Sequence, residues 1–292
     1  MNILVTGAGG FLGGQVVRRL MAEHDIFGLV RKEGALPAHP RVHPVVQDLT
    51  APLDRNRLPG SLDAILHLAQ SRNFRRFPDQ AQDIFQVNTE STQRLLDYGR
   101  QARIKTFVLA SSGGVCGYKT TPILETDPPE IMNFYLASKY AAECLVQAYG
   151  DVFVPVTLRY FFIYGEGQRD MFMPSLIGRV MKGEPVTVAG QRGMGMNPIH
   201  VDDAVEATVR ALEVPRPEII NVAGAEPTTI LDLAELIGAT VGRKPAYKFE
   251  AEKGPMAMIA SIEKMKLKLG VVPKVSLTEG VRRLADDLRR TG

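Results

Sequence analysis

The chain opens on a short apolar run, residues 2–6, which reads as a buried parallel strand. Gly7, Gly10 and Gly13 follow at three-residue intervals. A helix-type apolar period then begins at Phe11, and Val16, Val17, Leu20 and Met21 place a helix over residues 14–23. The same alternation continues. Strands are expected at residues 26–30, 41–46, 64–68 and 106–110. One long helix is expected over residues 80–103, with Ile84, Phe85, Val87, Leu95 and Leu96 on its apolar side. A loop with Pro122, Pro128 and Pro129 covers residues 120–133, and a strong helix pattern follows over residues 135–149. Further on, helices are expected at residues 170–182, 202–213, 229–241 and 279–290, with strands at 185–189 and 219–222. Short apolar runs alternating with helices predict an α/β fold, a Rossmann-type doubly wound parallel sheet.

Strand, glycine turn and helix form the arrangement that binds a dinucleotide pyrophosphate. Gly7 allows the tight turn, Gly10 lets phosphates approach the backbone, and Gly13 lets the helix pack against the strand. The amides at the start of the helix, from Phe11 and Leu12, then face the anion. The end of the second strand normally meets the adenosine ribose, where an acid favours NAD and a base suits a 2′-phosphate. Here Arg31 and Lys32 stand there with no acid before Glu33, which favours NADP, with NAD as the alternative. Asp48, followed by Leu49, is placed to meet the adenine amino group or to cap a turn. The fourth strand ends in Leu68, Ala69 and Gln70, at the sheet edge where ligands bind. Arg72, Arg75 and Arg76 come next and suit either an anionic substrate or a solvated loop.

Composition narrows the class. The 292 residues suffice for about two domains. At 45% hydrophobic and 23% charged the chain is of ordinary globular type, and a net charge of +3 argues for neither nucleic acid nor a membrane surface. Cys116 and Cys144 make no disulfide framework, and no apolar run approaches roughly 18 residues. A cytoplasmic protein is the expectation.

The chemistry centres on Tyr135 and Lys139, which share one helix face. An ammonium beside a phenol is expected to lower the phenol's pKa and ready it for acid–base work. The hydroxyl of Ser112, brought from the end of the preceding strand, would orient a substrate oxygen.

Several ordered motifs now carry a resemblance. The run TGAGGFLG at residues 6–13 resembles TGxxGFxG, and NTEST from Asn88 resembles NxxGT with Ser91 in place of glycine. SSGGVCG from Ser111 resembles SSxxVYG, YLASK from Tyr135 resembles YxxSK, and LRYFFIYG from Leu158 resembles LRxFNVYG. IHVDD from Ile199 and the LGVVPKVSLTEG end from Leu269 complete the set. The chain resembles an extended short-chain dehydrogenase/reductase of the NAD-dependent epimerase/dehydratase family. The resemblance implies a cofactor domain, residues 1–162 and 198–223, and a smaller substrate domain, residues 163–197 and 224–292. It implies a Ser112, Tyr135, Lys139 triad, with further cofactor contacts at Asn88, Ala110, Ser111, Tyr160, Phe161 and Phe162. Substrate contacts are expected at Arg72, Ser112, Gly113, Phe162, Met171 and Arg192. A homodimer through a four-helix contact is implied as well.

Departures from the pattern limit the substrate. Phe162 stands where the sugar-nucleotide enzymes of the family carry asparagine. Gly195, Met196, Asn197 and Pro198 fill the stretch where an arginine precedes VDD, and residues 255–260 carry no charge. A diphosphate would need cations from among Arg72, Arg75, Arg76, Arg169, Arg179 and Arg192. Gly113 and Gly114 replace the acid pair of the 4,6-dehydratases, and Cys116 lies two positions beyond the cysteine of the 3,5-epimerases. What remains is proton and hydride transfer, as in a 4-epimerase or 4-ketoreductase acting on a sugar or sugar nucleotide. The alternatives are an NADP-dependent reductase of a non-nucleotide ketone and a non-catalytic NADP-sensing protein.

Overall fold

A computed structural model describes residues 1–251 and 257–291. The strands β1 (Asn2–Thr6), β2 (Asp25–Val30), β3 (Val42–Val46), β4 (Ala64–His67), β5 (Thr106–Ser112) and β6 (Val154–Tyr160) join Glu218–Val222 in one seven-stranded sheet. The order is Glu218–Val222, β6, β5, β4, β1, β2, β3. β1 lies parallel to β2 on one side and to β4 on the other, with Ile3 opposite Ile26 and Ala64. From β1 the chain runs outward to β3 and then returns to β4, so the strand order reverses at β1. In open α/β sheets that reversal opens a crevice at the carboxyl ends of the strands. Ile3, Leu4 and Val5 are fully buried, which is why the run is apolar without alternation. The fold class expected from the pattern is the one observed.

Contacts divide the chain into two compact units. The first contains Met1–Val115, Pro129–Arg159 and Val205–Ile220; the second contains Cys116–Pro128, Tyr160–Ala204 and Asn221–Gly292. Residues 116–128 thus fall with the second unit rather than with the amino-terminal part. Their backbone is the reason: Lys119 N donates to Ala257 O, Ile123 N to Ile259 O, and Ser261 N to Ile123 O. The first unit's core gathers Leu4, Ile65, Leu95, Leu96, Phe107 and Val146 between sheet and helices.

The helices of the first unit are α1 (Phe11–Leu20), α2 (Ala81–Phe85), α3 (Ser91–Ala102) and α4 (Phe134–Gln147), followed later by α6 (Val201–Arg210), which runs in from the second unit. The single helix expected over residues 80–103 runs unbroken over residues 81–102, with a π turn inside it. α2 and α3 are joined by that π turn at Gln86–Glu90, which buries the polar side chains of Asn88 and Thr89. π turns of this kind cluster at functional sites. The sequence pattern also misses β6, because Pro155 and Arg159 break its apolar run.

In the second unit α5 (Phe172–Lys182), α7 (Ile230–Val241) and α9 (Leu277–Thr291) pack around Tyr164, Ile177, Val188, Ile237 and Leu284. Val186–Ala189 pairs in parallel with Tyr247–Glu250, a strand the pattern does not predict, and α8 (Glu263–Leu269) is likewise unforeseen. Where the resembled family carries an arginine, Asn197 is buried and donates to the carbonyls of Gly224 and Ala260. Asp202 pairs with Arg283 at 2.9 Å, and Arg283 also holds Glu166 at 2.6 Å. Residues 255 and 256 of the uncharged stretch lie outside the described residues. Among the described residues, no helix is long and apolar enough to cross a membrane.

Candidate active site

The glycine turn is built by contacts that exclude a side chain. Gly7 has φ +66°, and a Cβ there would meet the Ala69 backbone at 2.9 Å. Gly10 N donates to Gly7 O at 2.8 Å, and a Cβ on Gly13 would fall 2.2 Å from that same oxygen. α1 then starts at Phe11 with Gly10 as its cap, no side-chain oxygen on its amides and no acid in its first turn. An N-terminus left uncapped in this way, behind exposed Gly9 and Gly10, fits a pyrophosphate. Phe11 and Leu12 are half-buried beside it.

Behind the turn, a neutral imidazole ties three elements together. Thr6 Oγ1 lies 2.7 Å from His67 Nδ1, and His67 Nε2 lies 3.0 Å from Thr92 Oγ1. Burial, and then the charge of Lys139, push the His67 pKa down to about 3. Thr6 Oγ1 also accepts from Ala69 N at 3.2 Å, which fixes the chain just before Gln70.

The tyrosine expected to do the acid–base work stands on α4. Asn133 starts that helix, its Oδ1 accepting from Leu136 N at 3.0 Å. Tyr135 is half-buried near the start of α4, and Lys139 lies one turn on, fully enclosed. Ser112, at the end of β5, lowers the phenol's pKa, and its Oγ accepts from Gly114 N at 3.2 Å. The phenol O–H donates to Gln70 Oε1 at 3.0 Å. The structure therefore brings Ser112, Tyr135 and Lys139 into one neighbourhood, with Gln70 added.

The electrostatics differ from expectation. Burial pushes the Tyr135 pKa up to about 12, outweighing the lowering hydrogen bond from Ser112. Lys139 is not among the groups that lower it; its ammonium donates to Ala110 O at 2.5 Å. Burial also brings Lys139 itself down to about 8, against the raising effect of Glu143.

Glu143 and Arg159 are functional-site neighbours that the sequence reading missed. Glu143 is fully buried on α4 and accepts from Ser111 Oγ at 2.5 Å and from Arg159 Nη2 at 2.7 Å. A signal was present: Tyr135, Lys139 and Glu143 repeat at four-residue spacing on one helix face.

The other expected residues sort by unit. Asn88 is buried and its carboxamide is taken by Ser71 N at 2.9 Å and Ser138 Oγ at 2.9 Å, so it braces α4. Ala110 and Ser111 are buried in β5, and Gly113 opens the turn after it. Leu49 is buried, while Asp48 is exposed and its Oδ1 accepts from Thr50 N and Oγ1, a turn-closing role. Leu68 is half-buried. Arg31, Lys32 and Arg72 are exposed. Tyr160, Phe161, Phe162, Met171 and Arg192 lie in the second unit. Phe162 has φ +47°, a conformation costly for a bulky side chain and one that asparagine tolerates better. Arg192 is hydrogen-bonded to Asp232, Arg169 is paired with Asp287 at 2.9 Å, Arg179 donates to Pro185 O and Arg75 lies over the Phe74 ring, so at least four of the six candidate cations already have protein partners.

A parallel sheet with an uncapped glycine turn, and a tyrosine, lysine and serine gathered at its carboxyl edge, define a dinucleotide-dependent α/β enzyme. Residues 3–223 match the family model described as the NAD dependent epimerase/dehydratase family, and the chain belongs to that family. Over its whole length it is similar to a UDP-glucuronic acid 4-epimerase from Bacillus cereus, solved in complex with UDP-glucuronic acid and NAD. That likeness has a TM-score of 0.89, 27% identity and 100% coverage of both chains. It is 28% identical to the uncharacterized UDP-glucose epimerase YtcB of Bacillus subtilis (strain 168), over 96% of each chain. It is 29% identical to the dTDP-4-dehydro-6-deoxy-D-allose reductase of Streptomyces bikiniensis, over 85% of this chain and 84% of the relative.

Proposed function

We propose that this enzyme moves a hydride at a secondary alcohol or ketone carbon of a sugar nucleotide, as a 4-epimerase or 4-ketoreductase. The observation that carries this reading is the phenol of Tyr135, hydrogen-bonded to Gln70 and one helical turn before a buried ammonium. The relatives that are UDP-sugar epimerases and a dTDP-keto-sugar reductase support the substrate class.

The first unit supplies the dinucleotide site, through the amides after Gly10 and the cradle formed by Gly7 and Gly13. When bound, the nicotinamide accepts or returns the hydride. Ser112 holds the substrate oxygen. Tyr135, protonated at neutral pH, gives its proton to a ketone oxygen, and in the opposite direction it takes one from the carbinol. Lys139, charged below about pH 8 and one turn from the phenol, would hold the ribose of the nicotinamide nucleotide.

Arg31 and Lys32 favour a second reading on cofactor, an NADP-dependent reductase, although the solved relative above holds NAD. Arg31→Asp then weakens NADP binding about tenfold and leaves NAD within about twofold, as loss of one charge-assisted contact to a 2′-phosphate requires. Equal effects on both cofactors exclude the second reading. We also assign the protein to the cytoplasm, which suits Cys116 and Cys144, neither of them in a disulfide, and to a homodimer, which sedimentation checks.

Tyr135→Phe is the decisive variant. With NAD or NADP and a panel of UDP-glucose, UDP-glucuronic acid and a dTDP-4-keto sugar, it loses turnover by about 10³-fold while retaining cofactor binding. Undiminished turnover removes Tyr135 from the chemistry. Failure of the parent enzyme on the whole panel rejects the sugar-nucleotide class.

A further inference from the structure

We propose that Gln70 is a positioning residue for Tyr135, its carboxamide oxygen accepting the phenolic hydrogen bond at 3.0 Å and holding the phenol aimed and in its proton-donating form. The inference rests on the reading of Tyr135 as the acid–base group.

Direction within the hydrogen-bond chain comes first. The phenol O–H has one proton to give, and Gln70 Oε1 is the acceptor in place for it. An acceptor of this kind stabilises the protonated phenol and not the phenolate.

Placement of Gln70 comes second. The residue is exposed, yet the backbone on both sides of it is pinned. Ala69 N is held by Thr6 Oγ1 at 3.2 Å, and Ser71 N by Asn88 Oδ1 at 2.9 Å. Ser71 Oγ also donates to Asp83. The side chain therefore starts from a fixed point at the end of β4 and reaches across to α4.

The ring of Tyr135 is steadied from the same loop. Phe74 lies 5.2 Å from it between centroids, and the Arg75 guanidinium sits 4.9 Å over Phe74. The charged and titratable groups around the phenol are accordingly Lys139 on its own helix, Arg75 behind Phe74, and Asp83 through Ser71. β5 presents the uncharged Ser112. Against these, Gln70 is the neutral group that accepts from the phenol, and Gln70→Ala changes the phenol's hydrogen bonding without adding or removing a charge.

The test follows the ionisation of Tyr135 itself, in protein labelled with [13Cζ]tyrosine, with and without NAD; the resonance is assigned by its absence in Tyr135→Phe. Gln70→Ala shifts the ionisation down by about one pH unit, the size of one hydrogen bond to a single protonation state. Gln70→Glu, with a carboxylate at the same place, shifts it upward. Thermal unfolding of both variants checks that the fold is kept. Profiles that superimpose on the parent, or that move in the same direction for both variants, overturn the proposal. Because this readout needs no substrate, it fails separately from the function: an inactive Tyr135→Phe with unmoved Gln70 variants rejects Gln70 alone. Full turnover by Tyr135→Phe rejects the reading beneath it and the proposal together.

Discussion

The carboxylate of Glu143 takes Arg159 Nη2 at 2.7 Å where the two side chains are 0% and 4% exposed. Arg159 comes from β6 and Glu143 from α4, so the pair locks α4 to the sheet. The Ser111 hydroxyl, on the strand between them, closes the arrangement.

Breaking this pair takes the carboxylate away from a buried arginine charge. Glu143→Ala is expected to cost about 3–5 kcal/mol of stability, whereas replacing both partners by apolar residues of similar volume costs far less. Denaturant unfolding of the two variants measures the difference. A loss below about 1 kcal/mol for Glu143→Ala contradicts the burial of the pair.

His67 makes the fold sensitive to acid. Its folded pKa is depressed to about 3 from an ordinary value of 6.5. Between those values the unfolded chain binds a proton that the folded chain refuses, so stability falls as pH drops through that window. The slope approaches about 1.4 kcal/mol per pH unit. Above about pH 6.5 the contribution is complete. His67→Gln, which keeps polar atoms near Thr6 and Thr92, flattens this dependence. Equal slopes for parent and variant from pH 6.5 to 4 exclude His67 as the cause.

Gly13 is predicted to reject even a methyl group. A Cβ placed 2.2 Å from Gly7 O forces α1 away from β1, and Gly13→Ala should lose about 1–3 kcal/mol. The same displacement moves the amides of Phe11 and Leu12, so cofactor affinity falls with stability. Calorimetric titration with NAD or NADP beside an unfolding curve checks both. A variant of parental stability and affinity contradicts the close packing.

How much of this was legible beforehand follows from the range of each interaction. The strand, glycine turn and helix at the amino terminus are written in consecutive residues, and the burial of Ile3, Leu4 and Val5 explains why their pattern is plain. Tyr135 and Lys139 needed only helical periodicity. The π turn at Gln86–Glu90 was invisible, because it comes from burying Asn88 against Ser71 and Ser138, a contact between distant elements. The strand holding Arg159 was hidden for a related reason: its polar residue is accounted for by a carboxylate on another element.

The sequence by itself determined the sheet-and-helix alternation, the dinucleotide cradle and the face of α4 that carries the phenol and the ammonium. These depend on steric and periodic rules acting within a few residues. Tertiary structure decided that Lys139 bonds to Ala110 and not to Tyr135, that Gln70 meets the phenol, and that burial drives the Tyr135 and Lys139 pKa values in opposite directions. Desolvation depends on everything packed around a group, and no local spacing along the chain encodes it.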